Sequence, residues 1–459
     1  MNRTGANRRR QCRALAQQVN SSDTGGFLQI LTGAELHETL QSQLPEHRQR
    51  LYPPTETLSM FLAQAMADDR SCQRVVNERA IERLGAGLAP GSVHTSAYCQ
   101  ARQRLPEKLI AELARHSGRL LHGRAPDRWR WRRRRVIIVD ATTLSMPDTD
   151  ANQKRFPQHR GQPPGLGFPI TRLLGLLCLS SGALLDAACS PIRGKGSDEH
   201  TLLRPLLDTL EAGDVLLGDA NFPSYWLLAA LRERGVDGVF EQIGGRRAGV
   251  DFRRGERLGT GDHIIELRRP QRPHWMNVEA WARVPRTLRI RELRVGRAQR
   301  SKVLVTTMLS VRQGSKKALG RLYRQRWRVE LDLRDIKATL GMDVLSCRTP
   351  EMVVKEIWVY LLAYNLLRIV MAQAASVVGT SPRKLSFKHA LQLWRAWWPR
   401  RRAGHLDETQ VMALLELIGS RRVGNRPGRR EPRAVKRRPK CFKRLWAPRP
   451  IARQQIRYR

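Results

Sequence analysis

The chain is poor in acids and has no cysteine pattern, and both shortages narrow what it can be. Its 41 Asp and Glu stand against 83 Lys and Arg, a formal charge of +42 with a pI near 11.4. That excess is far beyond what solubility requires and points to a polyanionic partner, nucleic acid before any membrane surface. No amphipathic basic terminus with a lipidation signal speaks for the membrane. The seven cysteines are scattered singly from Cys12 to Cys441 with no CxxC pair, which argues against a zinc ribbon or a disulfide framework and suits a reducing cytosol. The opening MNRTGANRRRQCRALAQQ is basic but lacks an apolar core, so no secretory signal is read there. One run, residues 357–378, is apolar enough to span a bilayer. It carries Asn365, Arg368 and Gln373, however, and is read as a buried core helix. The expectation is a cytoplasmic protein with no membrane contact.

A chain of 459 residues has room for two or three domains. Residues 1–130 read as helical, with apolar residues at three- and four-residue spacing over 30–43, 55–66 and 74–83. A further helix is expected over HTSAYCQARQRLPEKLIAELARH, capped by Thr95 or Ser96, and Tyr98, Arg102 and Arg104 would give it a basic, aromatic side suited to DNA. The basic run DRWRWRRRRV reads as extended, with Trp129 and Trp131 on one side, and leads into a β-branched strand that ends at Asp140. Two apolar strands joined by Ser181-Gly182 make a hairpin. A helix over 198–210, restarted at Pro205, precedes the short strand DVLLG, which delivers Asp219; a helix over 224–234 and a strand from Val236 follow. If the strands of Asp140 and Asp219 pair in one mixed sheet, both carboxylates lie at neighbouring strand ends. Residues 245–308 alternate as an antiparallel β insert holding Trp275 and Trp281, which are read as core residues. Beyond Arg421 the composition is basic and too poor in apolar residues to build a core.

The stretch YRQRWRVELDLRDIK, Tyr323 to Lys337, organises the rest. It reads as one helix, on which Tyr323, Arg326, Glu330 and Lys337 fall at about 0°, −60°, −20° and −40°, a narrow polar stripe, whereas Asp332 and Asp335 point away at about 180° and 120°. A carboxylate flanked by cations one and two turns away can hold a metal while its neighbours hold phosphate. A solvated helix with i,i+4 charge pairs would give a similar pattern, and the stripe alone does not separate the two.

Tyr-x2-Arg-x3-Glu-x6-Lys, the VDATTL and GDANF contexts of the two aspartates, and the SAYCQARQRLP, GSDEHTLL and EPRAVKRRPK segments together resemble the DDE transposases of bacterial insertion sequences, the "insertion sequence four" type. The resemblance spans most of the chain from Tyr98 to Pro448. It implies an α/β fold: a ribonuclease-H-like core in two parts (131–244 and 309–380), the β-rich insert (245–308), an N-terminal helical domain that binds DNA (1–130), and a C-terminal helical segment with a basic tail (381–459). It implies that Asp140, Asp219 and Glu330 are catalytic, metal-holding acids and that Tyr323, Arg326 and Lys337 grip DNA phosphates. One departure is Ala141, where many relatives carry Gly. In some relatives an insert Trp stacks on a flipped base, but neither Trp275 nor Trp281 aligns with it.

The implied function is cut-and-paste transposition, in which metal-dependent cleavage is followed by strand transfer. Mg²⁺ is the implied cofactor, with Mn²⁺ substituting, since hard carboxylates suit both. The partners are double-stranded DNA, as terminal repeats and target, and a second copy of the chain in a synaptic complex at the nucleoid. Two other readings stay open: a ribonuclease-H-like nuclease that does not join ends, and a non-catalytic nucleic-acid-binding protein.

Overall fold

The computed structural model describes residues 52–85, 87–242, 244–296, 301–397, 408–424 and 445–457. The helix expected over 30–43, Trp398 and most of the basic tail lie outside them. Helices α1 (Pro54–Met66), α2 (Cys72–Gly85), α3 (Ser96–Arg104) and α4 (Glu107–Gly123) come first. The single helix expected over the last two is broken at Leu105-Pro106, because proline offers no N–H and starts a new helix. Strand β1 (Val136–Ser145), helix α5 (Asp150–Arg155) and strands β2 (Ile170–Cys178) and β3 (Leu184–Pro191) come next. Gly182 turns the β2–β3 hairpin at φ +82°, as its place after Ser181 predicts.

Beyond the hairpin lie α6 (Glu199–Leu203), which tightens into a 3₁₀ turn at Pro205, then β4 (Val215–Leu217), α7 (Tyr225–Glu233) and β5 (Asp237–Glu241). After α8 (Gly244–Ala248), the alternating segments form β6 (Glu256–Gly259), β7 (Asp262–Arg268), α9 (Val278–Arg283), β8 (Thr287–Val295) and β9 (Lys302–Thr306). The chain ends with α10 (Lys316–Tyr323), α11 (Arg328–Arg334), a π turn (Asp335–Thr339), α12 (Pro350–Val377), α13 (Phe387–Trp397), α14 (Glu408–Ser420) and α15 (Arg449–Arg457).

The result is a mixed α/β protein with one nine-stranded sheet, ordered β3-β2-β1-β4-β5-β9-β8-β7-β6. β1, β4 and β5 run parallel to one another, and the remaining pairings are antiparallel. The strands of 245–308 are antiparallel as their alternation predicts, but they do not close on themselves. β9 pairs with β5 and so carries them into the same sheet.

Two surface readings are overturned. Tyr98 is fully buried and Arg102 nearly so, its guanidinium donating to Gln64 (3.1 Å) and lying 4.6 Å from the Phe61 ring centre. Tyr98 and Arg102 are therefore internal packing, and of the expected aromatic-basic side only Arg104 is exposed. The run DRWRWRRRRV is not extended either: it reverses at Arg132 and Arg133, both left-handed (φ 51° and 64°), closing a Trp131–Arg134 bridge. Arg134 and Arg135 then pair with Asp237 and Asp214 at 2.7 Å each. Those bonds lie at the start of β1 and tie its base to β5 and to the turn before β4. Asp140 is further along by about 3.3 Å per residue.

The long apolar helix α12 is a core helix, with 94% of its most apolar window buried. Asn365 explains its docking. Its Oδ1 accepts the Leu184 N–H (2.8 Å), while its Nδ2 donates to the carbonyls of Leu184 and Ala114 (2.8 Å each). One side chain thus joins α12, α4 and β3. At the same junction Gly118 lets α4 approach, since a Cβ there would lie 1.9 Å from the Leu184 carbonyl oxygen. Asn365→Leu would leave these buried groups unpaired and is expected to cost about 2–4 kcal/mol. Urea unfolding reads this directly, and an unchanged midpoint would refute the role given to Asn365.

Candidate active site

Three parallel strands stop pairing at one level. The β1–β4 register ends with Ile138 opposite Leu217, and the β4–β5 register with Leu217 opposite Val239. Two residues further along these three strands come Asp140, Asp219 and Glu241. Asp140 is therefore not strand-terminal as expected. β1 continues to Ser145 against β2, and Asp140 lies mid-strand where β1 has lost its β4 neighbour. Gly218 makes the crowding possible, because a Cβ there would sit 3.0 Å from each of Val139, Phe222 and Phe240. Asp219 then accepts the Asn221 N–H (2.9 Å), and Asp140 accepts that of Ala141 (2.8 Å).

Burial pushes the Asp140 carboxyl up to about 6; the Ala141 N–H and Arg326 oppose the rise, and Asp219 and Glu199 add to it. Glu199, the first residue of α6, is itself raised by burial and by Asp219. His200 next to it bonds the Asn221 carbonyl (2.9 Å), joining α6 to the Asp219 loop.

The signature stretch closes the site, but not as one straight helix. The N–H groups of Gln325, Arg326, Arg328, Val329 and Glu330 bond three residues back, around a turn at 324–327 that separates α10 from α11, and α11 widens into the π turn. The even 100° stepping therefore fails between Tyr323 and Glu330. Tyr323 faces inward, 6% exposed, and donates to Glu241 (3.0 Å), which also pairs with Lys302 (2.5 Å). Arg326 lies between two of the acids, 3.8 Å from Asp140 and 3.3 Å from Glu330. Glu330 is exposed. Lys337 donates to Thr142 Oγ1 (3.0 Å) and to the Thr143 carbonyl (2.8 Å), just past Asp140 on β1.

All six signature and strand residues thus gather around one end of the parallel strands. Among the described residues no three acid, imidazole or thiol groups form a ready-made metal cluster, since a guanidinium separates Asp140 from Glu330. Sequence reasoning passed over Glu241 and Glu199. The signal for Glu241 was present: VDGVFEQI, like VLLGD, is a short apolar strand that ends in an acid.

Trp275 is not a core residue. It is 41% exposed, with the Arg204 guanidinium 4.1 Å from its ring centre and Trp226 against its edge. It lines a groove of about 1630 Å³ whose wall includes Lys195, Arg232, Arg283 and Arg289. Trp281 is partly buried beneath the Arg269 guanidinium, 3.8 Å away.

Residues 131–366 match the family model described as Transposase DDE domain. The chain is similar to the transposase InsG for insertion sequence element IS4 of Escherichia coli (strain K12), 28% identical over 404 residues, covering 85% of this chain and 87% of that one. Among solved structures, a piggyBac transposase synaptic complex with hairpin DNA is 10% identical, with a TM-score of 0.41, covering 91% of this chain and 86% of that one.

Gly218→Ala is expected to overpack the crossing of β1, β4 and β5, at a cost of about 1–3 kcal/mol. Chemical unfolding measures it, and a midpoint equal to the parent's would show that the strands have room to spare.

Proposed function

The chain belongs to the transposases with a DDE domain, enzymes that cleave and transfer DNA, and from that premise we propose that Asp140, Asp219 and Glu330 are its catalytic acids. The observation that carries this is the β1–β4 register: it sets the first two at one level, and Arg326 links the first to Glu330. We further propose that the fold is ribonuclease-H-like, with the core in residues 131–244 and 309–380 and the insert in 245–308. Residues 1–130 and 381–459 would be the helical DNA-binding portion and the C-terminal segment with its basic tail. Parallel β1, β4 and β5 flanked by antiparallel β2 and β3 support that division.

Enzymes of this family use divalent metal ions. The donor set fits a hard cation: its ligands are carboxylate oxygens, and Asp140, raised by burial and by neighbouring acids, gains from a positive charge. Asp140, Asp219 and Glu330 would hold Mg²⁺, or Mn²⁺ in its place. Bound there, the metal would polarise phosphoryl oxygen and acidify the attacking water or 3′-hydroxyl.

The remaining work falls to the chain's own side chains. Arg326, in contact with two acids, is placed to exchange a carboxylate for a phosphate oxygen and to grip it bidentately. Lys337, held beside Asp140 by Thr142 and Thr143, supplies a point charge as negative charge builds on the non-bridging oxygens. Tyr323 shapes the wall that the phosphate meets, with its hydroxyl committed to Glu241. The net charge of +42 supplies salt-dependent affinity for double-stranded DNA, both terminal repeats and target. Joining two ends calls for two copies of the chain, and the cytoplasmic nucleoid is where they would act. A nuclease that never joins ends would share this site, and a strand-transfer assay separates the two.

Two outcomes test the assignment. Glu330→Gln is expected to abolish cleavage of DNA carrying the element's ends while leaving end binding intact; a mutant that still cuts removes Glu330 from the acids. On supercoiled plasmid, Mg²⁺-dependent release of the element should be lost in EDTA and in Asp219→Asn. Binding without any metal-dependent cutting by the parent would instead support a packaging protein.

A further inference from the structure

Two residues beyond Glu330, on the opposite side of α11, lies a buried charge cluster that no step of the reaction uses. Asp332 is fully buried, and its Oδ1 receives Arg368 (2.8 Å) and Arg383 together. Arg368 also donates to Asp335 (3.3 Å) and to the Tyr364 hydroxyl (2.8 Å), and that hydroxyl donates to the Gly182 carbonyl (2.8 Å). Arg383 donates to the carbonyls of Leu179 (2.7 Å) and Cys178 (2.9 Å). The cluster therefore ties α11 to the β2–β3 hairpin, to α12 and to the segment after it. The fit is close: a Cβ on Gly182 would lie 2.9–3.0 Å from both guanidinium groups.

Stability does not account for this cluster. Buried ion pairs repay their desolvation poorly, and Asp332 Oδ2 is buried with no hydrogen-bond partner. Geometry does. α11 has seven residues, entered through a turn of tightened hydrogen bonds and left through a π turn, so little in its own backbone fixes its rotation about its axis. Residues two apart on a helix point roughly 200° apart. Holding Asp332 on the inner side therefore dictates where Glu330 points on the outer side.

We propose that Asp332, Arg368 and Arg383 are positioning residues that set the roll of α11 and thereby aim the Glu330 carboxylate at Asp140 and Asp219. This rests on the reading of Glu330 as a metal-holding acid. Partners that orient a ligand from behind typically change metal affinity or activity by about 10–100-fold when lost.

The test is Mn²⁺ binding by the full chain, followed by electron paramagnetic resonance at a temperature well below each variant's unfolding midpoint. The variants are Glu330→Gln, Arg383→Lys, Tyr364→Phe and the double variant of the first two. Arg383→Lys keeps the charge and loses the fork; Tyr364→Phe removes one hydroxyl and keeps the ring, so that a folded variant is in hand. Arg383→Lys and Tyr364→Phe should each weaken Mn²⁺ binding, the former by about 10-fold or more, with binding to the element's ends unchanged. The double variant should bind no more weakly than Glu330→Gln alone, because both changes act through one carboxylate. If Glu330→Gln weakens Mn²⁺ binding while Arg383→Lys and Tyr364→Phe match the parent, the positioning role is overturned. An additive loss in the double variant also overturns it. If Glu330→Gln itself binds Mn²⁺ like the parent, the assignment of Glu330 has failed, and the positioning claim fails with it.

Discussion

The parallel pairing of β1 with β4 and of β4 with β5 is the constraint on which the site depends. Two short ladders end at a common level, so the acids two residues beyond them on the three strands are delivered to a common place. Everything else serves that edge. Arg134 and Arg135 fasten the base of the strands, Gly218 allows them to crowd, and the signature stretch is folded over their open end. A one-residue slip between β1 and β4 would turn one acid to the other face of the sheet. Such a slip would also part Arg135, at the base of β1, from Asp214, just before β4, now 2.7 Å apart.

Much of this was legible from residues alone, and the failures have a common cause. Strands, the hairpin at Gly182 and the order of elements come from local periodicity and turn chemistry, which the chain obeys closely. Bringing Asp140 and Asp219 to one level needed only the assumption that two short apolar strands share a sheet. What could not be read was which side of an element faces protein. Tyr98 and Arg102 of α3 look like part of a DNA-facing side, yet they are swallowed by packing against Gln64 and Phe61. Trp275 looks like core and lies in a groove. In both cases the deciding partner lies far along the chain, and tertiary contact overrides local pattern.

The signature stretch shows a subtler failure. Its composition is helical, and a straight helix puts its polar groups in one stripe. The chain instead overwinds at 324–327 and underwinds at 335–339. Tightened and widened turns of this kind are frequent at functional sites. Here they separate Tyr323, which turns inward to Glu241, from Arg326 and Glu330, which stay at the open edge. The signature stretch thus runs through three different helical pitches.

The contact of Asn365 with both Leu184 and Ala114 has a consequence for how the protein can be divided. The matched span begins at residue 131, after α4, and ends at 366, inside α12. A fragment with those limits would strip Gly118 and Ala114 from the face they cover and would cut the long helix one residue past its polar anchor. Its exposed side would be a broad strip of leucine and alanine, the kind of surface on which chains associate indiscriminately. The matched span is thus smaller than the packed unit, and α4, which precedes it, is as much a wall over β3 and α12 as the strands beside them.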